Sequence, residues 1–521
     1  MSMELVYTGT PKGYYPNFIS QEDDLIKQGL IPEKDYAKQI ASKAATFPSE
    51  NRAILVDVLR SQYANIPNAN ASAQIEGLLN EHTFTVTTGQ QIHIFLGPMY
   101  VHNKIVSTIA LVNKLKSEFP QKSFVPIFWM ATEDHDMEEI EYIDLFGKRI
   151  KWSHGHQGIS GTAPTSGLVE LMNKALEGKN GINEEYRELF TQAYSTYKTL
   201  ADATRFLVDA IYGKEGVVVM DANEPKLKAL FKESIKKDLI EDSYSKGINT
   251  STEAIKDFQI KPIISARRSH FFYISASSER LRIDVDDSSY HTAGNEKTWT
   301  KEALSVEIDT HPERFSPNVA LRPLYQETLL PNLAYLAGPS EYVYWLQIQR
   351  TFSEQIPSPI LALRNSYIYI PEKAWNKITK IEGLIDYLFQ NEKDFEEGLT
   401  HLMLGDDPIK SVLEKQRKLL FDDLALLKSK NTPNLKGIHT LSTEYLKALE
   451  GIQKEFSENR LDQSDLINQR KGLTTVNQLY FNLIDKWERK TFYFQQIMLI
   501  NPFNANKTKV YGKDRLSIYC G

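Results

Sequence analysis

The segment from Phe84 to Asp136 constrains the fold more than any other part of the 521-residue chain. It begins with a β-branched stretch at 84–88 and passes through a glycine-bearing turn into an amphipathic run at 98–120. A second apolar stretch at 124–130 is followed by four charged or titratable residues at 133–136. This order predicts a βαβ unit of a parallel sheet. Ligands of such sheets bind at the carboxyl ends of the strands, so the polar residues there are the candidate site.

Two glycines flank the turn after the first predicted strand. Gly89 and Gly97 allow the backbone to approach a ligand closely, and Pro98 lies where helices favour a first-turn proline. Backbone N–H groups at a helix N-terminus suit an anionic group, either phosphate or carboxylate. The pattern matches neither of the common glycine-rich phosphate motifs, so an ordinary strand-to-helix connection stays an equal alternative.

Four consecutive titratable side chains follow the second predicted strand: Glu133, Asp134, His135 and Asp136. A short tip does not need so many charges for solubility, and its like charges repel one another. The cluster could ligate a divalent metal ion, or His135 could act as a general acid or base beside a carboxylate. A helix N-terminus capped by Asp134 or Asp136 is a third interpretation, and it is compatible with both functions.

The strand-and-helix pattern returns twice further along the chain. Residues 216–221 predict a short buried strand that ends in a carboxylate. Residues 334–341 repeat an apolar strand, a Gly-Pro turn and the start of a helix. Because two such turns indicate one shared sheet edge, we place Arg322 and Glu341 near the predicted cleft.

Two insertions interrupt the predicted sheet, and a helical region follows it. Residues 147–212 mix loop-like and helical stretches, whereas 245–312 are β-rich. The second insertion carries arginines that could bind an anion or could simply occupy an exposed sheet face. These are Arg267, Arg268, Arg280 and Arg282. Beyond 371, apolar spacings of three and four predict a helical hairpin broken at 431–434, either a coiled coil or a helical domain packed on the core.

Charge and cysteine content narrow the classes of partner and compartment. The chain has 61 basic and 67 acidic residues and a net charge of −6, so a nucleic-acid partner is not expected. Its single cysteine, Cys520, cannot form an intramolecular disulfide. No stretch resembles a signal peptide or reaches the roughly 18 apolar residues of a membrane span, so we expect no membrane partner and a cytoplasmic location.

Four blocks of this sequence resemble the bacillithiol biosynthesis cysteine-adding enzymes, the BshC family. The blocks are 88–91 with 95–100, 128–136, 316–323 and 337–341. The resemblance implies an α/β fold with a Rossmann-like, class I synthetase-like parallel-sheet core. It further implies two connective-peptide insertions and a C-terminal coiled coil that pairs two subunits into a homodimer.

The resemblance divides the chain into core, insertions, hairpin and tail. The core comprises 1–146, 213–244 and 313–374, the insertions are 147–212 and 245–312, the coiled coil is 375–490 and the tail is 491–521. The implied reaction joins the carboxylate of cysteine to the amine of glucosaminyl-malate and yields bacillithiol. Such a ligase needs an activated carboxylate, and the likeness to class I synthetases suggests ATP as the nucleotide.

The same hypothesis assigns the site residues. Glu133, Asp134, His135 and Asp136 are the catalytic candidates, with His135 moving a proton off the attacking amine. The expected substrate or nucleotide contacts are Thr88, Gly89, Gln90, Gln91, Gly97, Pro98, Tyr100, Asn318, Arg322, Gly338, Ser340 and Glu341. No metal ligand is assigned. The alternatives are a metal-dependent hydrolase built on Asp134, His135 and Asp136, and a non-enzymatic coiled-coil scaffold with a vestigial nucleotide fold.

Overall fold

The structure, a computed structural model, describes residues 4–7, 21–145, 148–178, 182–286, 289–370 and 516–520. Its strands are β1 (Glu4–Tyr7), β2 (Thr83–Gln90), β3 (Ser123–Met130), β4 (Tyr142–Leu145), β5 (Lys148–Lys151), β6 (Val218–Asp221), β7 (Phe271–Ile274), β8 (Arg280–Val285), β9 (Tyr290–Thr292), β10 (Thr298–Trp299), β11 (Phe315–Pro317), β12 (Asn332–Ala337), β13 (Ile360–Leu363), β14 (Ser366–Ile370) and β15 (Leu516–Cys520).

Helices connect most of these strands. They are α1 (Glu22–Lys27), α2 (Tyr36–Thr46), α3 (Ser49–Tyr63), α4 (Ser72–Gly77), α5 (Met99–Glu118), α6 (Leu168–Leu176), α7 (Glu184–Thr196), α8 (Leu200–Tyr212), α9 (Pro225–Leu230), α10 (Lys232–Leu239), α11 (Ser245–Lys256), α12 (Lys301–Thr310), α13 (Arg322–Leu329) and α14 (Pro339–Ile348). None of the helices in the described part of the chain is both long and apolar enough to cross a membrane.

The central sheet has five parallel strands in the order β13-β12-β2-β3-β6. β2 and β3 pair along their whole length, from Thr83 opposite Ser123 to Gln90 opposite Met130. Nearly every residue of both strands is buried, as expected where helices cover both faces of a parallel sheet. The predicted Rossmann-like parallel-sheet core is therefore confirmed.

Helix α5 connects the two central strands and packs on them. Its buried apolar residues keep the predicted helical spacing, and they are Val101, Ile105, Ile109, Val112 and Leu115. Val112 and Leu115 pack with Phe84 and Phe124 from the sheet. Full burial of one such side chain contributes about 1.5–3 kcal/mol. The helix ends before Pro120, because a proline disfavours helical geometry in the residue that precedes it.

A second, antiparallel sheet lies beside the carboxyl edge of the first. Its order is β10-β9-β8-β7-β11, and β11 pairs with β7 through Phe315 and Tyr273. α11 packs on α14, and residues of both helices share one apolar cluster with β12. The domain boundaries drawn from the sequence stay predictions.

The remaining strands form small sheets. β4 and β5 make an antiparallel pair, and β1, β15 and β14 form a three-stranded sheet in the order β1-β15-β14. The predicted coiled coil at 375–490 lies outside the described residues, and so does the tail at 491–521 apart from β15. The predicted homodimer through that hairpin stays a prediction.

Candidate functional site

A cavity of about 630 Å³ lies at the carboxyl edge of the central sheet. The ends of β2 and β3 line one side, and residues of β7, β8 and the segment after β11 line the other. Its volume is within the usual range of small-molecule pockets, about 300–1,000 Å³. Both its volume and its position, at the edge where parallel sheets bind their ligands, are those of a small-molecule site.

The cavity collects half of the sixteen residues that the sequence analysis proposed. Those that line it are Gly89, Gln90, Gln91, Glu133, Asp134, Asn318, Arg322 and Glu341. Those that do not line it are Thr88, Gly97, Pro98, Tyr100, His135, Asp136, Gly338 and Ser340. Several in the second group have structural contacts instead: the Thr88 hydroxyl donates to the Leu336 carbonyl oxygen at 2.9 Å, which ties β2 to β12.

Glu133 is neutralised by a lysine that the sequence analysis missed. Lys228 of α9 is fully buried, forms an ion pair with Glu133 and donates to the Phe315 carbonyl oxygen at 2.7 Å. Its ammonium lies 5.5 Å from the centre of the Tyr325 ring. Burial lowers the pKa of Lys228, while Glu133 acts in the opposite direction. Nothing in the local sequence of α9 indicates this role, because the contact depends on how three distant segments pack.

Asp134 is held mainly by neutral donors. The Gln91 side-chain amide donates to Asp134 Oδ2 at 2.7 Å and to Glu139 Oε2 at 2.6 Å. The backbone N–H of Asp136 donates to Asp134 Oδ1 at 3.2 Å. Arg280 Nη1 is 4.0 Å from the same oxygen, at the outer limit of an ion pair. The Asp134 side chain is thus ordered, and its negative charge is offset by an arginine 4.0 Å away.

His135 and Asp136 are exposed and lie outside the cavity lining. The His135 side chain is 44% exposed; its ring centre is 5.8 Å from that of Phe272, and its Nδ1 is 3.8 Å from Asp134 Oδ1. After β3 the chain turns tightly, with the N–H of Met137 donating to the His135 carbonyl oxygen at 3.0 Å. Adjacent residues of the tip therefore have different surroundings.

The tip does not present a clustered ligand set. In the ranges that the structure describes, no three side chains of His, Cys, Asp and Glu form a group that could hold a metal ion. The metal-dependent hydrolase alternative thus gains no supporting geometry from these residues.

The two Gly-Pro turns are filled by the protein's own groups. Gly97 has a φ of +66°, and a Cβ at this position would lie 2.5 Å from His93 Cβ, so packing under His93 requires the glycine. The N–H of Gly338 donates to Glu341 Oε2 at 2.7 Å, so this carboxylate caps the start of α14. The protein's own groups thus occupy the space beside Gly97 and the N–H of Gly338, and the predicted ligand contacts of these two glycines stay predictions.

Lys104 connects the end of β2 to the first turn of α14. Its ammonium donates to the Gly89 carbonyl oxygen at 2.8 Å and to Gln90 Oε1 at 2.7 Å, and it lies 2.5 Å from Glu341 Oε2. The Tyr335 hydroxyl donates to Glu341 Oε1 at 2.9 Å. This ion pair links α5 to α14 and orients Gln90 at the cavity. The sequence offers one signal for it, since Lys104 shares the buried face of α5 with Val101.

Four arginines line the cavity: Arg267, Arg280, Arg282 and Arg322. Arg267 is exposed, and the guanidinium of Arg282 donates two hydrogen bonds to Asp284 at 2.6 and 2.8 Å. Arg280 donates from Nε to the Ser316 hydroxyl at 2.9 Å and from Nη2 to the Pro317 carbonyl oxygen at 2.8 Å. Its guanidinium lies 4.1 Å from the centre of the Phe272 ring. Arg322 donates from Nη1 to Gln326 Oε1 at 2.9 Å. The cavity therefore has carboxylates on one wall and guanidinium groups on another.

Asn318 organises the chain just before Arg322. Its side-chain oxygen accepts the N–H of Ala320 at 2.8 Å, and its own N–H donates to the His270 carbonyl oxygen at 2.8 Å. The N–H of Arg322 donates to the Asn318 carbonyl oxygen at 2.9 Å. Asn318 thus sets the position from which Arg322 enters the cavity.

Comparison with known families agrees with this architecture. The family model described as bacillithiol biosynthesis BshC, N-terminal Rossmann-like domain, matches residues 2–365. The chain belongs to the BshC family. The resemblance seen in the four sequence blocks is confirmed, and all four blocks contribute residues to the cavity of this BshC-family fold.

Relatives in the BshC family are similar over most of their length. A protein from Flavobacterium johnsoniae is 35% identical over 431 residues, which cover 80% of this chain and 81% of the relative. One from Christiangramia forsetii is 35% identical over 465 residues, covering 84% and 86%. One from Cytophaga hutchinsonii is 31% identical over 408 residues, covering 78% and 76%. All three are named "Putative cysteine ligase BshC".

Proposed function

We propose that this chain is a ligase that joins the carboxylate of L-cysteine to the amine of glucosaminyl-malate and so forms bacillithiol. The names of its relatives and the family description support this reaction. The single observation that carries the proposal is the cavity with Asp134 on one wall and Arg280 and Arg322 on another. The two reactants carry both ammonium and carboxylate groups, and a cavity of mixed charge suits them.

Amide formation requires a proton acceptor for the amine. A carbon–nitrogen bond forms at an activated cysteine carbonyl, the activating group leaves, and the amine loses a proton. We assign this proton to Asp134, because Glu133 and Glu341 are already paired with buried lysines. This replaces His135, the residue that the sequence analysis favoured, because His135 does not line the cavity. Glu133 and Glu341 then serve to order the lysines and the turns around the reactants.

ATP is the proposed energy source, and we assign no residue to it. The sequence predicts that Gly89, Gln90, Gly97 and the start of the following helix hold the anionic group of ATP or malate. Of the three named residues, Gly89 and Gln90 line the cavity and Gly97 does not. Release of AMP would indicate a cysteinyl-adenylate intermediate, and release of ADP would indicate an acyl phosphate.

Purified protein incubated with cysteine, glucosaminyl-malate and ATP tests the proposal. Mass spectrometry should detect bacillithiol together with one equivalent of AMP or ADP, and neither should form when glucosaminyl-malate is omitted. Intact substrates after prolonged incubation would reject the ligase activity. Formation of bacillithiol without consumption of ATP would reject ATP as the energy source but would leave the ligase reaction supported.

A further inference from the structure

Two buried lysines adjoin the cavity, but protein groups already occupy both. Lys228 is paired with Glu133 and the Phe315 carbonyl oxygen. Lys104 has three oxygen partners, which match the three protons of an ammonium group. These lysines therefore hold the walls of the cavity together and leave the recognition of an anionic ligand to the arginines.

Arg280 is held in place with one nitrogen still directed at the cavity region. Its Nε donates to the Ser316 hydroxyl and its Nη2 donates to the Pro317 carbonyl oxygen. One face of the guanidinium lies over the Phe272 ring. Nη1 lies 4.0 Å from Asp134 Oδ1, and Glu133 also interacts electrostatically with the guanidinium. A guanidinium ordered in this manner loses little conformational entropy when it binds a carboxylate, and its planar fork suits that group.

Arg322 has a buried N–H donor in the same cavity that lacks a well-aligned hydrogen-bond acceptor. Its Nη2 is buried and makes no hydrogen bond of normal geometry, although the Tyr344 hydroxyl interacts with the guanidinium. The guanidinium lies 5.7 Å from the centre of the Trp129 ring and 5.3 Å from that of Tyr335. A buried donor without a well-aligned acceptor is costly, so a ligand oxygen at this nitrogen would be favoured.

The start of α14 does not compete for the anion. Glu341 already accepts the N–H of Gly338 and the ammonium of Lys104. A second anion at this helix N-terminus would meet that carboxylate, and like charges repel.

Among the other arginines of the lining, Arg282 is paired with Asp284 and Arg267 is exposed. Arg280 on β8 and Arg322 at the start of α13 belong to separate elements and suit two separate carboxylates.

We infer that Arg280 and Arg322 form a dicarboxylate subsite, which under the proposed function holds the malyl group of glucosaminyl-malate. In a glucosaminyl glycoside the amine is on the carbon next to the anomeric carbon, so the amine and the malyl group are close together. Arg280 Nη1 is 4.0 Å from Asp134 Oδ1. The group proposed to bind a malyl carboxylate is therefore next to the group proposed to accept the proton of the amine. One ligand can satisfy both.

Isothermal titration calorimetry without cysteine or nucleotide tests the subsite directly. Malate and succinate should bind the wild-type protein and compete with glucosaminyl-malate. Orthophosphate offers a single anionic group to the two arginines and should compete more weakly. Arg280→Lys and Arg322→Lys keep the charge but lose the fork, and each should weaken malate binding about 10- to 100-fold. The control Arg268→Gln removes an exposed arginine that does not line the cavity, and it should bind malate normally.

Ser316→Ala provides a milder second variant in case the Arg280→Lys or Arg322→Lys protein does not fold. It removes only the hydroxyl that accepts from Arg280 Nε, so it should weaken malate binding by a smaller factor while circular dichroism stays unchanged. In the ligase assay, Arg322→Lys should raise the KM for glucosaminyl-malate and leave the KM for cysteine unchanged.

The two proposals fail in different ways. Wild-type protein that binds malate through these arginines but forms no bacillithiol supports the subsite and rejects the ligase reaction. Folded arginine variants that bind malate as tightly as the wild type would overturn the subsite, and so would equal competition by orthophosphate or no binding of malate to the wild type.

Discussion

Asp134 and His135 are neighbours in the chain, yet they have different surroundings. Gln91 and the backbone order the Asp134 carboxylate at the cavity, where its side chain is 30% exposed. His135 lies against Phe272 and is more exposed. At this scale, the position of a side chain relative to the end of β3 decides which of two chemically plausible residues can contact a substrate.

Replacing these two neighbours separately tests the assignment. Asp134→Asn keeps the shape but removes the proton acceptor, so kcat/KM for bacillithiol formation should fall by about 10²- to 10⁴-fold. His135→Asn, the matched variant one residue away, should keep kcat/KM close to the wild-type value. Initial rates by mass spectrometry measure both. An equal loss in the two variants would contradict the assignment to Asp134, and a loss in His135→Asn alone would return the proton transfer to His135.

Gly97 tests how strongly the turn before α5 depends on glycine. Gly97→Ala should lower the free energy of unfolding by about 1–3 kcal/mol, because φ is +66° and the added methyl group meets His93. Gly29→Ala is the matched control, since Gly29 has the same φ but no atom within 4 Å of the added carbon. Urea denaturation compares the two. A smaller loss for Gly97→Ala than for Gly29→Ala would contradict the packing argument.

At the scale of elements, one ion pair connects the helices that follow β2 and β12. Lys104 reaches from α5 to Glu341 of α14, and it also holds Gly89 and Gln90 at the end of β2. Removing one partner of a buried pair leaves the other charge without compensation, and that is more costly than the pair is stabilising.

Lys104→Met should therefore lower the free energy of unfolding. We expect a loss of about 2–4 kcal/mol, below the full range for a buried pair because the Glu341 side chain is 20% exposed. Lys114→Met on the same helix removes an exposed lysine, with a side chain 61% exposed, and should change stability by less than about 0.5 kcal/mol. Chemical denaturation checks both. Adding Glu341→Gln to Lys104→Met should restore part of the loss, and no recovery would argue against the pair.

At the scale of the whole molecule, two buried histidines make stability depend on pH. Burial lowers the pKa of His93 and of His102 to about 3. In the unfolded chain both titrate near ~6.5. Between these values the unfolded state binds more protons, so stability is lost as the pH falls from about 6.5 towards 3.

Each histidine should contribute about 1.4 kcal/mol per pH unit within this window. His102→Gln cannot titrate, so the free energy of unfolding of this variant should fall less steeply on acidification, by that amount per unit. Urea denaturation at several pH values between 7 and 5 measures the difference. Parallel curves for the variant and the wild type would show that folding does not shift the pKa of His102.

The periodicity of the sequence predicted the central elements because their apolar spacing reflects burial directly. The paired strands β2 and β3, helix α5 between them and the Gly-Pro start of α14 all appear where the pattern placed them. The same reasoning predicted ligand contacts at Gly97 and Gly338, which do not line the cavity. A glycine pattern does not reveal whether the space beside it is filled by a ligand or, as here, by His93 and Glu341.

The sequence by itself determined the family, the parallel core and the two stretches that meet at its carboxyl edge, because local patterning and motif order carry that information. Only the tertiary structure decided which polar residues share the cavity. Lys228, Lys104 and Arg280 come from elements far apart in the chain, and their contacts with Glu133, Glu341 and Asp134 exist only after the elements pack. Charge compensation is a property of distances in space, which residue spacing along the chain does not encode.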